Sequence, residues 1–177
     1  MTDDLVAPPF TGSLDAKVPA ENVVLSHFMA EVGRWVVASE ASDGAIFIGT
    51  GNTEVLARRA AGLRTLAHLQ SRAEGEIEGR THLDVETARA ELTHELAALA
   101  RMVETTNLPM PEGVDKRLVL VELRASSDAL KAGAKRGVIA RLAAPVLTFI
   151  ALAFVEGVIG AYAQRCLDAL EQVLAAH

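Results

Sequence analysis

The sequence is poor in cysteine and aromatic residues, and each shortage excludes a class of protein. The single cysteine, Cys166, cannot form an intramolecular disulfide, so a disulfide-stapled scaffold is excluded and a reducing compartment is favoured. Aromatic residues make up only 4% of a chain that is 50% hydrophobic. Its apolar volume therefore comes from aliphatic residues, among which alanine and leucine favour helices rather than strands. The composition predicts a mainly helical protein.

Positive charge is also scarce, with 17 Lys and Arg against 23 Asp and Glu, a net charge of -6. We therefore expect no nucleic-acid partner, because affinity for phosphate backbones depends on clustered cations. We interpret the densest basic run, Lys131, Lys135, Arg136 and Arg141, as a solvated helix face. Residues 1–17 carry Asp3 and Asp4 and no apolar run, unlike an export signal. We expect a cytoplasmic location.

The length of 177 residues suits one domain. Prolines, a glycine and polar residues without periodicity predict a mobile N-terminal arm over residues 1–18, followed by a helical domain over 19–177. The predicted fold is all-α, a single-domain antiparallel bundle of five or six helices. Residues 45–48 are a short apolar stretch that could be extended.

Apolar residues spaced by three and four place these helices. The first is predicted over residues 20–36. The second begins at Asn52 or Thr53, either of which can cap it, and turns Leu56, Leu63 and Leu66 inward. The third has Asp84 as N-cap and the clearest apolar stripe, formed by Val85, Ala88, Leu92, Leu96, Leu99 and Val103.

In the second half of the chain, the spacing of apolar residues fits more than one secondary structure. Residues 118–123 fit a buried strand or a buried helix, and we favour helix because the apolar spacing continues beyond them. Pro145 is predicted to kink or restart the next helix, followed by one long helix from Val146 to Leu174. Fourteen uncharged residues, Leu142 to Val155, are too few for a helical span of about 20, so a core helix is favoured over bilayer contact.

The glycine-rich turn Gly49-Thr50-Gly51-Asn52-Thr53 is the most specific candidate for ligand binding. It follows a possible strand and opens a helix, an arrangement whose free N–H groups bind phosphate in other proteins. Neither the third glycine of a dinucleotide-binding turn nor the lysine of a P-loop is present. A tight turn with an N-cap is the competing interpretation.

Two polar features lie on predicted helices. Glu91 and His94 have the spacing used in carboxylate-bridged metal sites, but no second such pair exists and both point away from the apolar stripe, so we expect no metal. Glu156 follows the fourteen uncharged residues and falls near an apolar stripe, which makes it a candidate for a partly desolvated carboxylate. We favour a structural role as a paired or edge-exposed residue over a ligand or proton site.

The segment from Arg89 to His94 is similar to the Arg-x4-His pair of the HEPN superfamily of helical ribonuclease domains. That resemblance implies a helical fold with Arg89 and His94 as the catalytic pair. Ala90 stands where those domains usually carry a polar residue.

With no stronger catalytic pattern, we expect a non-catalytic protein without a cofactor. The predicted function is that of a helical adaptor or assembly subunit that binds a protein partner or further copies of itself. Phosphate or nucleotide binding at residues 49–53 and HEPN-like ribonuclease activity remain the alternatives. The sequence specifies neither the partner nor the oligomeric state.

Overall fold

The computed structural model describes residues 22–73, 82–107 and 109–175. The arm predicted at residues 1–18 lies outside these ranges. The described chain contains three strands and five helices in the order β1 (Val23–Met29), β2 (Arg34–Glu40), β3 (Ile46–Gly51), α1 (Glu54–Ala73), α2 (His82–Thr105), α3 (Lys116–Lys131), α4 (Arg136–Ala153) and α5 (Val158–Ala175). The strands form one antiparallel sheet in the order β1-β2-β3.

The all-α prediction is wrong, because residues predicted as the first helix form the β1–β2 hairpin. Phe28 pairs with Trp35 and Met29 with Arg34 across a short turn. Gly33 closes that turn with φ of 61°, a conformation that other residues rarely adopt. The segment 45–48, expected to be extended, lies at the start of β3 and pairs with β2.

Alternate residues of β2 face two different layers. Val36 and Ala38 belong to the main core, which the sheet shares with the helices α2 to α5. Val37 faces the other way and packs with Ala57 and Ala61 of α1. Because both faces of β2 are covered, its central residues Trp35 to Ala38 form a continuous apolar run that lacks the polar alternation of a half-exposed strand.

Two helical predictions, the apolar stripe of α2 and the helix at residues 118–123, are confirmed. The α2 residues Leu92, Leu96, Leu99 and Val103 are fully buried, as the stripe predicted. The ambiguous run 118–123 is helical, within α3. Helix α3 ends in a Schellman turn, in which the Gly133 N–H donates to the Leu130 carbonyl and the Ala134 N–H to the Ala129 carbonyl.

The predicted restart of the helix at Pro145, with one long helix from Val146 to Leu174, is wrong. Helix α4 continues through Pro145, with the adjacent Ala144 and Val146 buried in the core. The chain turns instead at residues 154–157, and α5 approaches that turn closely: a Cβ on Gly160 would lie 2.1 Å from the Phe154 carbonyl oxygen. Of the described helices, α4 alone has the length and composition to cross a membrane, and half of it is buried within the fold.

Candidate interaction surface

Helix α1 packs on the sheet through its smallest residues. A Cβ on Gly49 of β3 would lie 2.2 Å from the Ala61 amide nitrogen and 2.3 Å from the Ala57 carbonyl oxygen. A Cβ on Gly51 would lie 2.7 Å from the Ala57 nitrogen. The helix and strand backbones are therefore close enough to exclude any side chain at these two strand positions.

This close approach reverses the predicted orientation of α1. The residues that face the sheet include Ala57, Ala61, Thr65 and His68, and all four are buried. The leucines predicted to point inward, Leu56, Leu63 and Leu66, are 47%, 49% and 43% exposed. His68 lies on the side of the helix opposite these leucines, and that side is the one that is buried.

The outward side of α1, which we call the leucine face, carries the large apolar residues Val55, Leu56, Leu63 and Leu66. Arg59, Ala60, Ala67 and Gln70 lie on the same side of the helix. The large apolar members recur at spacings of one turn or two along one side of the helix. Soluble domains expose scattered apolar residues commonly, but a continuous apolar stripe marks a contact surface more often.

Three polar anchors hold α1 in this orientation. At its start, the Glu54 carboxylate accepts hydrogen bonds from Ser26 Oγ at 2.7 Å and from the Arg58 guanidinium at 2.6 Å. Those bonds, first from Arg58 and then from Ser26, lower the pKa of Glu54. In the middle, Arg64 donates to the Ile48 carbonyl at 2.8 Å and pairs with Glu171 of α5.

The third anchor joins the second half of α1 to the β2–β3 turn. Asp43 Oδ2 lies 2.8 Å from His68 Nε2 and 2.6 Å from Arg72 Nη1, while Oδ1 accepts from the Ala45 amide at 3.1 Å. Burial acts to raise the pKa of Asp43, but the hydrogen bonds from Ala45, His68 and Arg72 outweigh it and hold that pKa well below its usual range. The leucine face is thus presented by a helix fixed along its length.

The glycine-rich turn at residues 49–53 has a structural explanation in this packing. Gly49 and Gly51 allow the strand to approach α1, and Thr53 caps the helix by accepting the Leu56 N–H at 3.2 Å. Thr50 and Asn52 are exposed, and Arg34 donates a hydrogen bond to Asn52. The anion site predicted at residues 49–53 stays a prediction. The carboxylate of Glu54 directly follows this turn in the sequence.

The other predicted site residues are not brought together. Arg89 donates to the Ala134 carbonyl at 3.0 Å, whereas His94 is exposed and lies about 140° further round α2. Glu156 is exposed in the turn between α4 and α5, so the predicted desolvation of its carboxylate is absent. Among the residues that the structure describes, no group of three or more His, Cys, Asp or Glu is arranged to hold a metal ion.

The cysteine is deeply buried. Cys166 of α5 has no exposed surface, and burial together with the nearby Glu95 raises the pKa of its thiol to about 12. A thiol in this state is protonated and shielded, so it reacts slowly in the folded protein.

Comparisons with protein-family models, with curated proteins and with solved structures find no match for this chain. Function is therefore inferred from its own residues. The leucine face is the feature that sequence reasoning missed. The signal that reveals it is the pair of glycines before α1, since glycine in a strand marks a close backbone approach.

Proposed function

We propose that this chain is a non-catalytic assembly protein whose leucine face binds the leucine face of a second copy. The observation that carries the proposal is the outward orientation of Leu56, Leu63 and Leu66 on a helix that is anchored on its other side. An amphipathic helix that turns its larger apolar residues to solvent is suited to helix–helix contact in another molecule. Burying these side chains removes apolar area from water, which is the main favourable term in association.

A second copy fits the leucine face in an antiparallel arrangement with Leu63 at the twofold axis. In that register Leu63 faces its own equivalent, Leu66 faces Ala60, and Arg59 faces Ala67. Leu66 thus opposes a small side chain, as interdigitating packing requires, while Leu56 opposes Gln70 toward the ends of the contact. A twofold contact of this kind is self-complementary, because every pairing occurs twice.

Charge supports the same register. Arg59 is the only charged residue within the leucine face. Its equivalent in the second copy lies opposite Ala67, eight residues away and therefore about 12 Å along the helix axis at 1.5 Å per residue. That separation exceeds the screening length of about 8 Å at physiological salt. Two copies can therefore meet without placing like charges together.

The proposal is tested by sedimentation velocity over a concentration series from about 1 µM to about 1 mM, the range in which modest apolar interfaces associate. The wild-type chain is expected to pass from monomer to dimer. Leu63→Glu places two carboxylates at the twofold axis and is expected to stay monomeric. Its thermal unfolding should change little, because Leu63 is half exposed in the monomer.

Leu118→Glu is the matched control, since it makes the same change on α3 at a leucine that is 62% exposed and outside the leucine face. This variant is expected to dimerise like the wild-type chain. A wild-type chain that remains monomeric throughout the series, or equal dissociation by both variants, would contradict the proposal.

A further inference from the structure

A second surface, remote in sequence from α1, concentrates positive charge in this acidic chain. Two adjoining clefts of about 730 and about 570 Å³ share the lining residues Arg89, Gly133 and Arg136. We call them together the cationic groove. Its lining includes five cations and two carboxylates: Arg89, Lys131, Lys135, Arg136, Arg141, Glu40 and Glu86.

The groove exists because α3 ends sharply. Gly133 has φ of 67° and completes the Schellman turn, which lets α4 begin at Arg136 only a few residues later. The reversal brings the end of α3 and the start of α4 to the side of α2 that carries Arg89. Basic residues interpreted from sequence as one solvated helix face are therefore spread over two helices and the turn between them.

Three arginines of the groove are fixed by backbone carbonyls rather than by carboxylates. Arg89 Nη2 donates to the Ala134 oxygen at 3.0 Å, Arg136 Nη1 to the Gly44 oxygen at 3.1 Å, and Arg141 Nε to the Val24 oxygen at 2.8 Å. A neutral carbonyl orients a guanidinium without cancelling its charge. Each guanidinium has five N–H groups, so donors remain after these bonds are made.

The charge of these side chains is not neutralised by ion pairs within the described chain. None of Arg89, Lys135, Arg136 and Arg141 has a carboxylate partner within 4.0 Å among the described residues. Lys131 pairs with Asp128 at 3.6 Å, and both are largely exposed. Although Glu40 and Glu86 also line the groove, four cations that form no ion pair with a described carboxylate leave the balance of charge there positive, which lowers the cost of bringing in an anion.

We propose that the cationic groove binds a small phosphorylated organic molecule, with Arg89 and Arg136 contacting its phosphate group. Planar guanidinium groups bind phosphate oxygens through paired hydrogen bonds, and fixed arginines lose less side-chain freedom on binding. Each cleft has a volume within the range of about 300–1,000 Å³ that is typical of small-molecule sites.

The lining of the groove also includes apolar side chains that suit the organic part of such a ligand. Val85 and Leu130 line one cleft, and Ile46 and Val138 line the other. A phosphate ester offers both the anionic and the apolar part, whereas an inorganic anion uses only the arginines. This site is separate from the leucine face and does not depend on the proposed dimer.

Isothermal titration calorimetry with adenosine 5′-monophosphate and with pyrophosphate as probes tests the site at low salt. The wild-type chain is expected to bind both. Arg89→Gln and Arg136→Gln each keep a donor for the backbone carbonyl but lose the charge, and each is expected to weaken binding by about tenfold or more. Circular dichroism of each variant verifies that the fold is retained.

Arg101→Gln is the matched control, because Arg101 is an exposed arginine of α2 whose side chain donates to the Ala97 carbonyl of its own helix. This change is expected to leave binding within about twofold of the wild-type value. A labelled 20-nucleotide single strand is titrated in parallel. Absence of heat with both probes, equal binding by all variants, or binding of the oligonucleotide alone would each overturn the proposal.

Discussion

Replacing Gly49 by alanine is expected to lower the free energy of unfolding by about 3 kcal/mol or more, or to prevent folding. The added methyl would lie 2.2 Å from the Ala61 nitrogen and 2.3 Å from the Ala57 oxygen. Both are backbone atoms, which cannot rotate away as a flexible side chain can. Helix α1 would have to move off the sheet. Urea denaturation followed by circular dichroism measures the loss.

Gly137→Ala is the matched control for this change. Gly137 lies in the first turn of α4, and no heavy atom lies within 4 Å of its added Cβ. Alanine is the better helix former by about 1 kcal/mol, so this variant is expected to be as stable as the wild-type chain or slightly more stable. Equal stability of the two variants would show that α1 does not approach β3 as closely as described.

Removing the charge of Asp43 is expected to have the next largest effect. Asp43→Asn should cost about 1.5–3 kcal/mol near neutral pH, because hydrogen bonds to a charged carboxylate from His68 and Arg72 are weakened. Asp128→Asn removes a carboxylate that is 75% exposed and forms a surface ion pair with Lys131, so it should cost less than about 0.5 kcal/mol. Urea denaturation at neutral pH compares the two.

The Asp43 contribution also has a defined pH dependence. The folded-state pKa of Asp43 lies below the ordinary value, so the unfolded chain binds the proton more tightly than the folded one. The stabilisation is complete above the ordinary pKa of about 3.9 and is lost progressively as the pH falls toward the depressed folded value. The stability gap between wild type and Asp43→Asn should therefore shrink as the pH falls below about 4. A gap that widens with acid would contradict this assignment.

The helical core was predictable because its signal is long and unambiguous. The stripe of α2 runs over five turns with apolar residues at helical spacing, and no strand has that period. The run at 118–123 was resolved correctly by its continuation into α3. Thr53 was correctly identified as one of two candidate caps for α1, since its hydroxyl group can accept an N–H three residues later.

The hairpin was mispredicted because β1 and β2 happen to place apolar residues at helical spacing. Burial of β2 on both faces removes the polar alternation that identifies most strands. The signals that were present are local ones: Phe28, Trp35 and the adjacent valines favour strands, and Gly33 favours the turn. The prediction followed the overall composition, which favours helix, instead of these local signals.

The orientation of α1 could not be obtained from amphipathicity alone. Its more apolar side carries the leucines, so periodicity favours burying that side, whereas the buried side carries small residues together with Thr65 and His68. The deciding contact is between Gly49 and Ala61, two residues on different elements. The candidate interaction surface therefore emerges only when the strand and the helix are placed together. The cationic groove likewise depends on the turn at Gly133, which connects α3 to α4 and places the start of α4 beside Arg89 of α2.

Disulfide cross-linking through Leu63→Cys tests the central claim most directly. The native thiol of Cys166 is buried and does not compete. If leucine faces meet antiparallel with Leu63 at the axis, mild oxidation should convert Leu63→Cys rapidly to a covalent dimer. Leu118→Cys, which is more exposed, should cross-link only slowly by random collision. Cross-linking of Leu118→Cys as fast as Leu63→Cys, or no covalent dimer from Leu63→Cys, would contradict the proposed assembly.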